Sequence, residues 1–216
     1  MNEIWNWQTA QDVFWKLIKV VPVTLEATFL GFALAAVLGL VWALMRRSTF
    51  RPISLLAYWM IEFVRSTPLL VQLLFLYLAL PRFPVFVIGV TGLGLHYSAY
   101  LAEVYRGGIE AVAQGQWEAA RALNFSPLKT WTRIILPQAI PPIIPVMGNY
   151  LIVLFKETPL LFAINVVEMM SVAKKFGSHT FQYTEAYTIV GVLFFLMSYP
   201  SSLLVRWAER RMALKH

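Results

Sequence analysis

The sequence predicts an all-α integral membrane protein, a bundle of five membrane-spanning helices. Hydrophobic residues make up 59% of the 216 residues and charged residues 13%, and the mean hydropathy is +0.64. A soluble domain carries about 25% charged residues. Five apolar stretches, each close to the roughly 17 to 25 residues of a spanning helix, hold most of this apolarity. The sequence therefore predicts that the protein is embedded in the lipid bilayer.

Hydropathy divides the chain into three parts. Residues 1–19 form an N-terminal extracytoplasmic or interfacial segment, residues 20–208 the transmembrane domain, and residues 209–216 a cytoplasmic tail. The predicted spans lie at about 20–45, 55–80, 85–104, 139–162 and 186–207. The longest connection, 106–138, is shorter than the roughly 50 residues of an independent domain. A soluble enzyme or nucleotide-binding domain is thus excluded within this chain.

The N-terminal segment and the first span carry patterns of their own. Aromatic and apolar residues alternate with polar ones over 5–19, which predicts an interfacial helix, or an aromatic belt before the first span. In the span, Gly31, Ala35 and Gly39 recur at four-residue spacing. Such a face lets another helix backbone approach closely, in this chain or in another subunit.

Polar residues interrupt the second span. Glu62 and Arg65 are three positions apart on one helical face, where they can pair and so reduce the cost of burial. Pro68 removes a backbone hydrogen bond in the middle of the span. Irregular backbone at membrane depth is tolerated only where it is buried in protein or lines a water-filled cavity.

The third and fourth spans also contain polar groups. The third ends in His96, Tyr97 and Glu103, and the fourth is broken at Lys156 and Glu157 between the apolar segments 143–155 and 160–167. A discontinuous helix of this kind often handles a polar solute near the bilayer midplane. The alternative is a helix that ends at the membrane surface, where the two charged side chains reach water.

The cations behind the net charge of +7 are concentrated in the loops on one side of the membrane. Because the cations form no patch with interleaved aromatics, nucleic acid is not predicted as a partner. One side of the membrane receives Arg46, Arg47, Arg51, Arg106, Arg121, Lys129, Arg133, Arg206, Arg210, Arg211 and Lys215, and the other Lys16, Lys19, Arg82, Lys174 and Lys175. The richer side faces the cytoplasm by the positive-inside rule. The N-terminus is therefore predicted to be extracytoplasmic and the C-terminus cytoplasmic.

The sequence offers no recognisable catalytic or metal-binding motif. It contains no cysteine, and its three histidines, His96, His179 and His216, are far apart. It also lacks the phosphate-binding G-x-x-x-x-G-K-[ST] pattern and the H-E-x-x-H and G-x-S-x-G motifs. We expect no catalytic residue, no metal site and no cofactor in this chain, so metabolic energy must come from another subunit.

A short helix is predicted in the longest connection, from Gln116 to Leu123. Glu118 falls near its N-terminus, where a negative charge suits the helix dipole. Trp117, Ala120 and the Leu123/Asn124 pair fall on one side. Such a face is suited to the groove of a partner protein.

This connection resembles the EAA loop of binding-protein-dependent ABC importers, written E-A-A-x3-G-x9-I-x-L-P. The matching residues are Glu118, Ala119, Ala120, Ile134, Leu136 and Pro137. Asn124 stands at the position of the family's glycine. Asparagine also tolerates the left-handed backbone of a turn, so the turn is expected to persist.

The resemblance extends over most of the chain. Segments 65–72, 105–109 and 115–120 resemble the polar amino-acid permease branch, and 93–98 with 140–142 resembles the permeases of ectoine and hydroxyectoine importers. In one departure, Lys-Glu-Thr-Pro-Leu at 156–160 stands where the branch usually has Lys-x-Thr-Ser-Leu. The resemblance implies the type I (MetI-like) importer fold in the cell inner membrane.

The same resemblance implies partners and roles. The chain would be one half of a translocation pathway, with a similar or identical second permease, an extracytoplasmic solute-binding protein, and an ABC ATPase dimer that binds ATP and Mg. Coupling to the ATPase is assigned to Gln116, Trp117, Glu118, Ala119, Ala120, Arg121, Leu123, Asn124, Ile134, Leu136 and Pro137. The solute would be ectoine, hydroxyectoine or a polar amino acid, and the alternative is a glutamine, glutamate, histidine or arginine permease.

A zwitterionic solute needs a cation near its carboxylate and an anion or aromatic face near its positive end. The candidate residues of the translocation path are Glu62, Arg65, His96, Tyr97, Glu103, Lys156 and Glu157. Alternatively, the pairs Glu62–Arg65 and Glu103–Arg106 serve only to hold helices together. Two other classes of protein fit the sequence poorly. Five spans are unsuited to an ion-coupled secondary transporter, and a membrane enzyme needs a cluster of catalytic groups that this sequence lacks.

Overall fold

The computed structural model describes residues 5–213, and ten α-helices account for most of them. A π-helical turn, Trp131–Ile135, and a 3₁₀ segment, Thr158–Ile164, interrupt the helices. The helices are α1 Trp7–Ile18, α2 Val21–Arg46, α3 Arg51–Arg65, α4 Leu69–Ala79, α5 Val85–Glu110, α6 Gln114–Ala122, α7 Pro127–Thr130, α8 Leu136–Glu157, α9 Met169–Thr180 and α10 Tyr183–Ala213.

Four helical runs are long and apolar enough to cross a membrane. They are α2, α5, α10 and the continuous run 127–164 that contains α8. A fifth span requires α3 and α4 together, and these two helices meet at an angle of 105°. The second span, expected over 55–80 with an interruption at Pro68, is bent between Arg65 and Leu69.

Pro68 explains the position of this bend. Its backbone is extended, with φ −63° and ψ 137°, and α3 ends just before it at Arg65. The Gln72 side chain spans the corner, because its Nε2 donates to the carbonyl oxygen of Val64 at 2.9 Å and to Thr67 Oγ1 at 2.6 Å. One side chain thus satisfies a carbonyl oxygen that the broken helix leaves without a partner.

The third and fifth spans extend beyond their predicted bounds, since α5 runs to Glu110 and α10 from Tyr183 to Ala213. The fourth span changes its geometry at the predicted polar break. Here α8 ends at Glu157, and the 3₁₀ segment that follows it ends at Ile164 and is capped by Asn165, whose φ is +63°. Contrary to the prediction, the helical run is therefore not broken at the charged pair but changes there from α to 3₁₀ geometry.

The small-residue face of the first span packs inside this chain. Gly31 and Gly39 of α2 lie against Leu93 and Leu101 of α5. A Cβ atom at position 39 would lie 2.9 Å from both the Leu101 Cβ and the Ser98 carbonyl oxygen. The sequence allowed this face to pack on a helix of this chain or of another subunit, and the structure shows the helix of this chain.

Replacing Gly39 by Ala is therefore expected to lower the thermal unfolding midpoint of the detergent-solubilised protein. The added methyl group meets backbone atoms, so α2 and α5 must separate, at a cost of about 1–3 kcal/mol. The matched control is Gly191→Ala in α10, where no atom lies within 4 Å of the added carbon. Alanine there should gain up to about 1 kcal/mol of helix propensity. Equal midpoints for the two variants would contradict the close approach of α2 and α5.

The N-terminal segment contains the predicted helix, but its apolar face packs on protein. The buried side chains Val13 and Leu17 of α1 lie against α9 and α10. The Asn6 backbone N–H donates to Glu185 Oε1 at 2.8 Å, and Thr9 Oγ1 donates to Gln182 Oε1 at 2.7 Å. This helix is therefore a docked part of the bundle.

A buried carboxylate, Glu168, begins α9. Its two oxygens accept hydrogen bonds from the backbone N–H groups of Met170 and Ser171, each at 2.7 Å, while the Glu168 backbone N–H donates to Ser171 Oγ at 2.9 Å. This arrangement is a reciprocal helix cap. Burial raises the pKa of Glu168 to about 7, although the two backbone donors act in the opposite direction.

The raised pKa predicts that stability falls as pH rises. The folded state holds the Glu168 proton more tightly than the unfolded state, whose pKa is 4.5, so this contribution is complete below pH 4.5 and is lost by about pH 7. The total is on the order of 3 kcal/mol. Unfolding midpoints measured in detergent from pH 4.5 to 8 should decline more steeply for the parent than for Glu168→Gln. Parallel pH profiles would contradict this assignment.

Candidate translocation site and coupling loop

An aromatic cluster lies where α5 packs against α8. It consists of His96, Tyr97 and Tyr100 from α5 and Tyr150 from α8. Neighbouring ring centroids are 5.3–6.3 Å apart, the separation of interacting aromatic pairs. The cluster arises because positions 96, 97 and 100 share one face of a helix.

Charged and polar groups surround these rings. Glu157, one residue before the 3₁₀ segment, accepts a hydrogen bond from the Tyr97 hydroxyl group at 2.7 Å. The Arg65 guanidinium group lies 5.6 Å from the centre of the Tyr100 ring. Gln72 Oε1 lies 3.1 Å from His96 Nδ1. The cluster therefore brings a carboxylate, a guanidinium group and π faces together, as a zwitterion requires.

Two of the predicted path residues, His96 and Tyr97, belong to this cluster, and two more, Arg65 and Glu157, contact its rings or hydroxyl groups. Glu62 borders it through an ion pair with Arg65, whose Nη1 lies 3.4 Å from Glu62 Oε1. The break in α3–α4 and the end of α8 thus both supply charged groups to one region.

The remaining two path candidates lie elsewhere. Arg106 donates to Glu103 Oε2 from Nε at 2.9 Å and from Nη2 at 2.6 Å, and it also pairs with Glu110. Lys156 is exposed, and it makes none of the ring or carboxylate contacts of the cluster. The pairs Glu62–Arg65 and Glu103–Arg106 are both present, but each joins residues three positions apart within one helix and so does not hold two helices together.

Sequence reasoning missed three members of the site. Tyr100 lies one turn after His96, a spacing that could have indicated it. Gln72 and Tyr150 carry no local signal, because they reach the site only through the bend at Pro68 and the packing of α8 on α5. Among the described residues, no group of three or more His, Asp or Glu side chains is arranged to hold a metal ion.

The loop helix α6 begins at Gln114, two residues before its predicted start. Glu118 consequently lies in the middle of the helix, so the prediction that it interacts with the dipole of the first turn is wrong. It instead accepts a hydrogen bond from Gln114 Nε2 at 2.9 Å.

Asn124 ends α6 with a left-handed backbone, as the sequence predicts. Its φ is +55°, and α6 closes with two backbone hydrogen bonds, from Phe125 N to the Ala120 oxygen and from Asn124 N to the Arg121 oxygen. This pair of bonds is a Schellman motif, in which glycine is the usual residue at the left-handed position. Asparagine therefore preserves the turn.

One side of α6 is anchored to the bundle. Ala120 is fully buried, and the Trp117 ring packs edge-on against Trp131, with centroids 5.3 Å apart. The Arg47 guanidinium group, just after α2, lies 5.8 Å from the Trp117 ring centre and 5.4 Å from that of Trp131. The π-helical turn thus connects the loop to both α2 and α8.

The opposite side of the loop is open and partly apolar. The Leu123 side chain is 67% exposed and that of Leu128 is 73% exposed, and they lie among exposed Glu118 and Arg121. Leu123 therefore does not share the packed side with Trp117 and Ala120, contrary to prediction. Exposed leucines in a charged connection indicate a protein interface.

Comparisons with known proteins decide the family. Residues 35–214 match the model of the binding-protein-dependent transport system inner membrane component family. The chain is 44% identical over 212 residues to the probable amino-acid ABC transporter permease protein y4tG of Sinorhizobium fredii, covering 93% of this chain and 92% of that one. This chain belongs to the binding-protein-dependent transport system inner membrane component family.

Solved structures agree with this assignment. The crystal structure of an amino acid ABC transporter with histidines matches with a TM-score of 0.86 and 39% identity, over 93% of this chain and 94% of the other. The inward-facing MetNI methionine ABC transporter matches with a TM-score of 0.68 at 19% identity, over 90% of this chain and 96% of the other. The second likeness shows the type I importer fold.

Membership in the family fixes the general role. The chain is the permease subunit of an amino-acid ABC importer, a non-catalytic, multi-pass component of the inner membrane. The family implies an ATPase partner and a substrate-binding protein.

One continuous helical run joins the two regions of this permease. It extends from Pro127 through the π-helical turn and α8 to the 3₁₀ segment. Trp131 lies near its loop end, whereas Tyr150 and Glu157 lie near its other end. At 1.5 Å per residue, Trp131 and Glu157 are about 40 Å apart along the helix.

Proposed function

We propose that this permease moves a small zwitterion into the cytoplasm through the cluster around Tyr97 and Tyr100. The observation that carries the proposal is the placement of the Arg65 guanidinium group and the Glu157 carboxylate beside the same tyrosine rings. The guanidinium group would meet the solute carboxylate, whereas Glu157 and the ring faces would meet its positive end. Glu103 and Lys156 are left out of this site.

Ectoine and hydroxyectoine are the first solutes that we propose, because of the resemblance of residues 93–98 and 140–142 to their permeases. Both solutes combine a carboxylate with a delocalised cation, which suits a site of tyrosine faces. Glutamine, glutamate, histidine and arginine are the alternatives, and the amino-acid relatives support them.

The loop surface is the proposed contact to the ATPase. Glu118, Arg121, Leu123 and Leu128 would enter a groove of the ATPase, which binds ATP and Mg. Closure of the ATPase dimer would move α6 and, through the Trp117–Trp131 contact, tilt α8. Allosteric coupling requires such a rigid contact between two sites.

We further propose that the loop and the C-terminus face the cytoplasm and the N-terminus faces outside. The charge distribution supports this orientation, and the structure places Arg47 against the loop while α1 packs on α9. The proposed division remains 1–19, 20–208 and 209–216, with a second, similar or identical permease beside this chain.

Reconstitution tests the function. Proteoliposomes that contain this permease, its second permease and the ATPase should accumulate labelled ectoine or amino acid only when the loaded binding protein is outside and ATP is inside. Control proteoliposomes contain ADP in place of ATP and should not accumulate the solute. The neighbouring binding protein identifies the solute, and binding of glutamine, histidine or arginine rather than ectoine would exclude the ectoine proposal. Uptake driven by an ion gradient without ATP would indicate a secondary transporter instead.

A further inference from the structure

A cationic cleft lies at the junction of α2 and α3, away from the translocation cluster. Its volume is about 590 Å³, within the range of small-molecule sites. The residues that line it are Arg46, Ser48, Arg51, Ser54, Leu55 and Tyr58. Neither the translocation site nor the coupling loop uses these residues.

The two arginines of the cleft have no carboxylate partner among residues 5–213. The ion pairs in this part of the chain involve Arg65 and Arg106 only. Arg46 Nε is buried and makes no hydrogen bond with the described residues. An N–H donor that is buried without an acceptor is costly, so the cleft has capacity for an added anion.

The cleft is also structurally fixed. The Arg46 guanidinium group lies over the Tyr58 ring, 4.4 Å from its centre. Ser54 Oγ donates to the Arg46 carbonyl oxygen at 2.8 Å, which ties the end of α2 to the start of α3. Ser48 Oγ accepts from the Phe50 backbone N–H at 3.2 Å. Because the Tyr58 ring holds the Arg46 side chain, less side-chain entropy is lost when it binds a ligand.

Apolar side chains flank the same cleft. Leu55, which lines the cleft, is 57% exposed, and Trp59, whose ring centre lies 5.3 Å from that of Tyr58, is 62% exposed. Both residues belong to α3, which forms a candidate span with α4, so hydrocarbon can cover them while the arginines stay at the polar boundary. A ligand with an anionic head and an apolar tail therefore matches the cleft better than a free anion does.

We propose that this cleft binds the phosphate of an anionic phospholipid, with Arg46 and Arg51 as the phosphate ligands. Guanidinium groups bind phosphate oxygens in paired hydrogen bonds, and basic pockets between membrane helices bind anionic headgroups. On the proposed orientation the lipid belongs to the cytoplasmic leaflet. The bound lipid would hold the α2–α3 corner and, through α3, the segment that carries Arg65.

Nanodiscs of defined composition test this site. The complete importer is placed in phosphatidylethanolamine alone, or with one quarter phosphatidylglycerol, and its thermal unfolding midpoint is measured. We expect phosphatidylglycerol to raise the midpoint of the parent, and Arg46→Gln/Arg51→Gln to lose most of that rise. The matched control, Arg206→Gln/Arg210→Gln, removes the same charge from exposed positions of α10 and should keep the rise.

Two further measurements separate the remaining outcomes. Native mass spectrometry should detect phosphatidylglycerol retained by the parent and the control, and largely lost from the Arg46/Arg51 variant. Inorganic phosphate added to phosphatidylethanolamine nanodiscs should not reproduce the rise, and an equal rise would overturn the lipid assignment in favour of a free anion. Equal rises in all three proteins, or loss of assembly in the variant without loss of lipid, would also overturn it. None of these readouts depends on the transported solute.

Discussion

Replacing Trp117 by Ala and Glu118 by Lys is expected to reduce uptake by about 100-fold, the upper range of measured allosteric couplings. Alanine removes the edge-on contact with Trp131 and the ring beneath Arg47, so α6 loses its hold on the bundle. Lysine reverses an exposed charge on the surface proposed to meet the ATPase. The measurement is ATP-dependent uptake in proteoliposomes, together with the amount of inserted chain.

A chemically matched control is available in α10. Trp207→Ala with Glu209→Lys makes the same two changes, and Trp207 also carries an arginine over its ring, that of Arg211 at 4.3 Å. This control should insert and transport like the parent. If the loop variant keeps both normal uptake and normal ATPase stimulation, the coupling role of α6 is wrong.

The single variants separate two roles within the loop. Trp117 faces the bundle, so Trp117→Ala should leave ATPase binding largely intact and reduce the uptake obtained per ATP hydrolysed. Glu118 faces outward, so Glu118→Lys should weaken binding of the ATPase itself. A pull-down of the ATPase by each variant, compared with its ATPase rate, distinguishes contact from transmission.

The spans were predictable because the bilayer imposes a length and composition that the sequence shows directly. The bend at Pro68 was predictable in position, since proline lacks the N–H that a continuing helix needs. Its angle of 105° was not, because it depends on the packing of α4 against α5 and on the Gln72 bonds across the corner. Local chemistry therefore located the break, and tertiary packing set its direction.

In the coupling loop, too, local chemistry predicted some features, whereas others depend on contacts that the sequence does not show. Asn124 was predictable as a left-handed residue because only a few residue types tolerate that backbone. The start of α6 was missed because Ala113, its N-cap, makes no side-chain capping bond that would mark the boundary. The Gln114–Glu118 side-chain hydrogen bond lies across its first turn instead. The translocation cluster depends on contacts between separate helices, so Tyr150 was not found from sequence.

Arg65→Gln and Glu157→Gln are expected to raise the solute concentration for half-maximal uptake by about 10- to 100-fold each. A hydrogen bond to a charged group contributes about 1.5–3 kcal/mol, and 1.4 kcal/mol corresponds to a factor of ten. Glu157→Gln keeps the side-chain size and removes the charge, whereas Arg65→Gln removes the charge and also shortens the side chain. The measurement is uptake as a function of solute concentration, with the binding protein in excess over the transporter.

The neighbouring charges provide matched controls. Lys156→Gln removes a charge next to Glu157 but outside the cluster, so the half-maximal concentration should stay unchanged. Glu62→Gln removes only the ion-pair partner of Arg65, 3.4 Å away, and should have an effect of at most about fivefold, since exposed pairs contribute about 0–1 kcal/mol. If Arg65→Gln transports with unchanged affinity, Arg65 does not bind the solute, and its charge serves only the ion pair with Glu62 within α3.

Tyr97→Phe decides whether Glu157 contacts the solute or only supports Tyr97. The phenylalanine keeps the ring in the cluster and removes the hydroxyl group that donates to Glu157. If Glu157 only holds α8 against α5, Tyr97→Phe and Glu157→Gln should lower the unfolding midpoint similarly, and the double variant should add little. If Glu157 binds the solute, Tyr97→Phe frees its carboxylate and preserves affinity, whereas Glu157→Gln loses affinity in either background. We expect the second pattern, because a carboxylate beside tyrosine faces and a guanidinium group is complementary to a zwitterion.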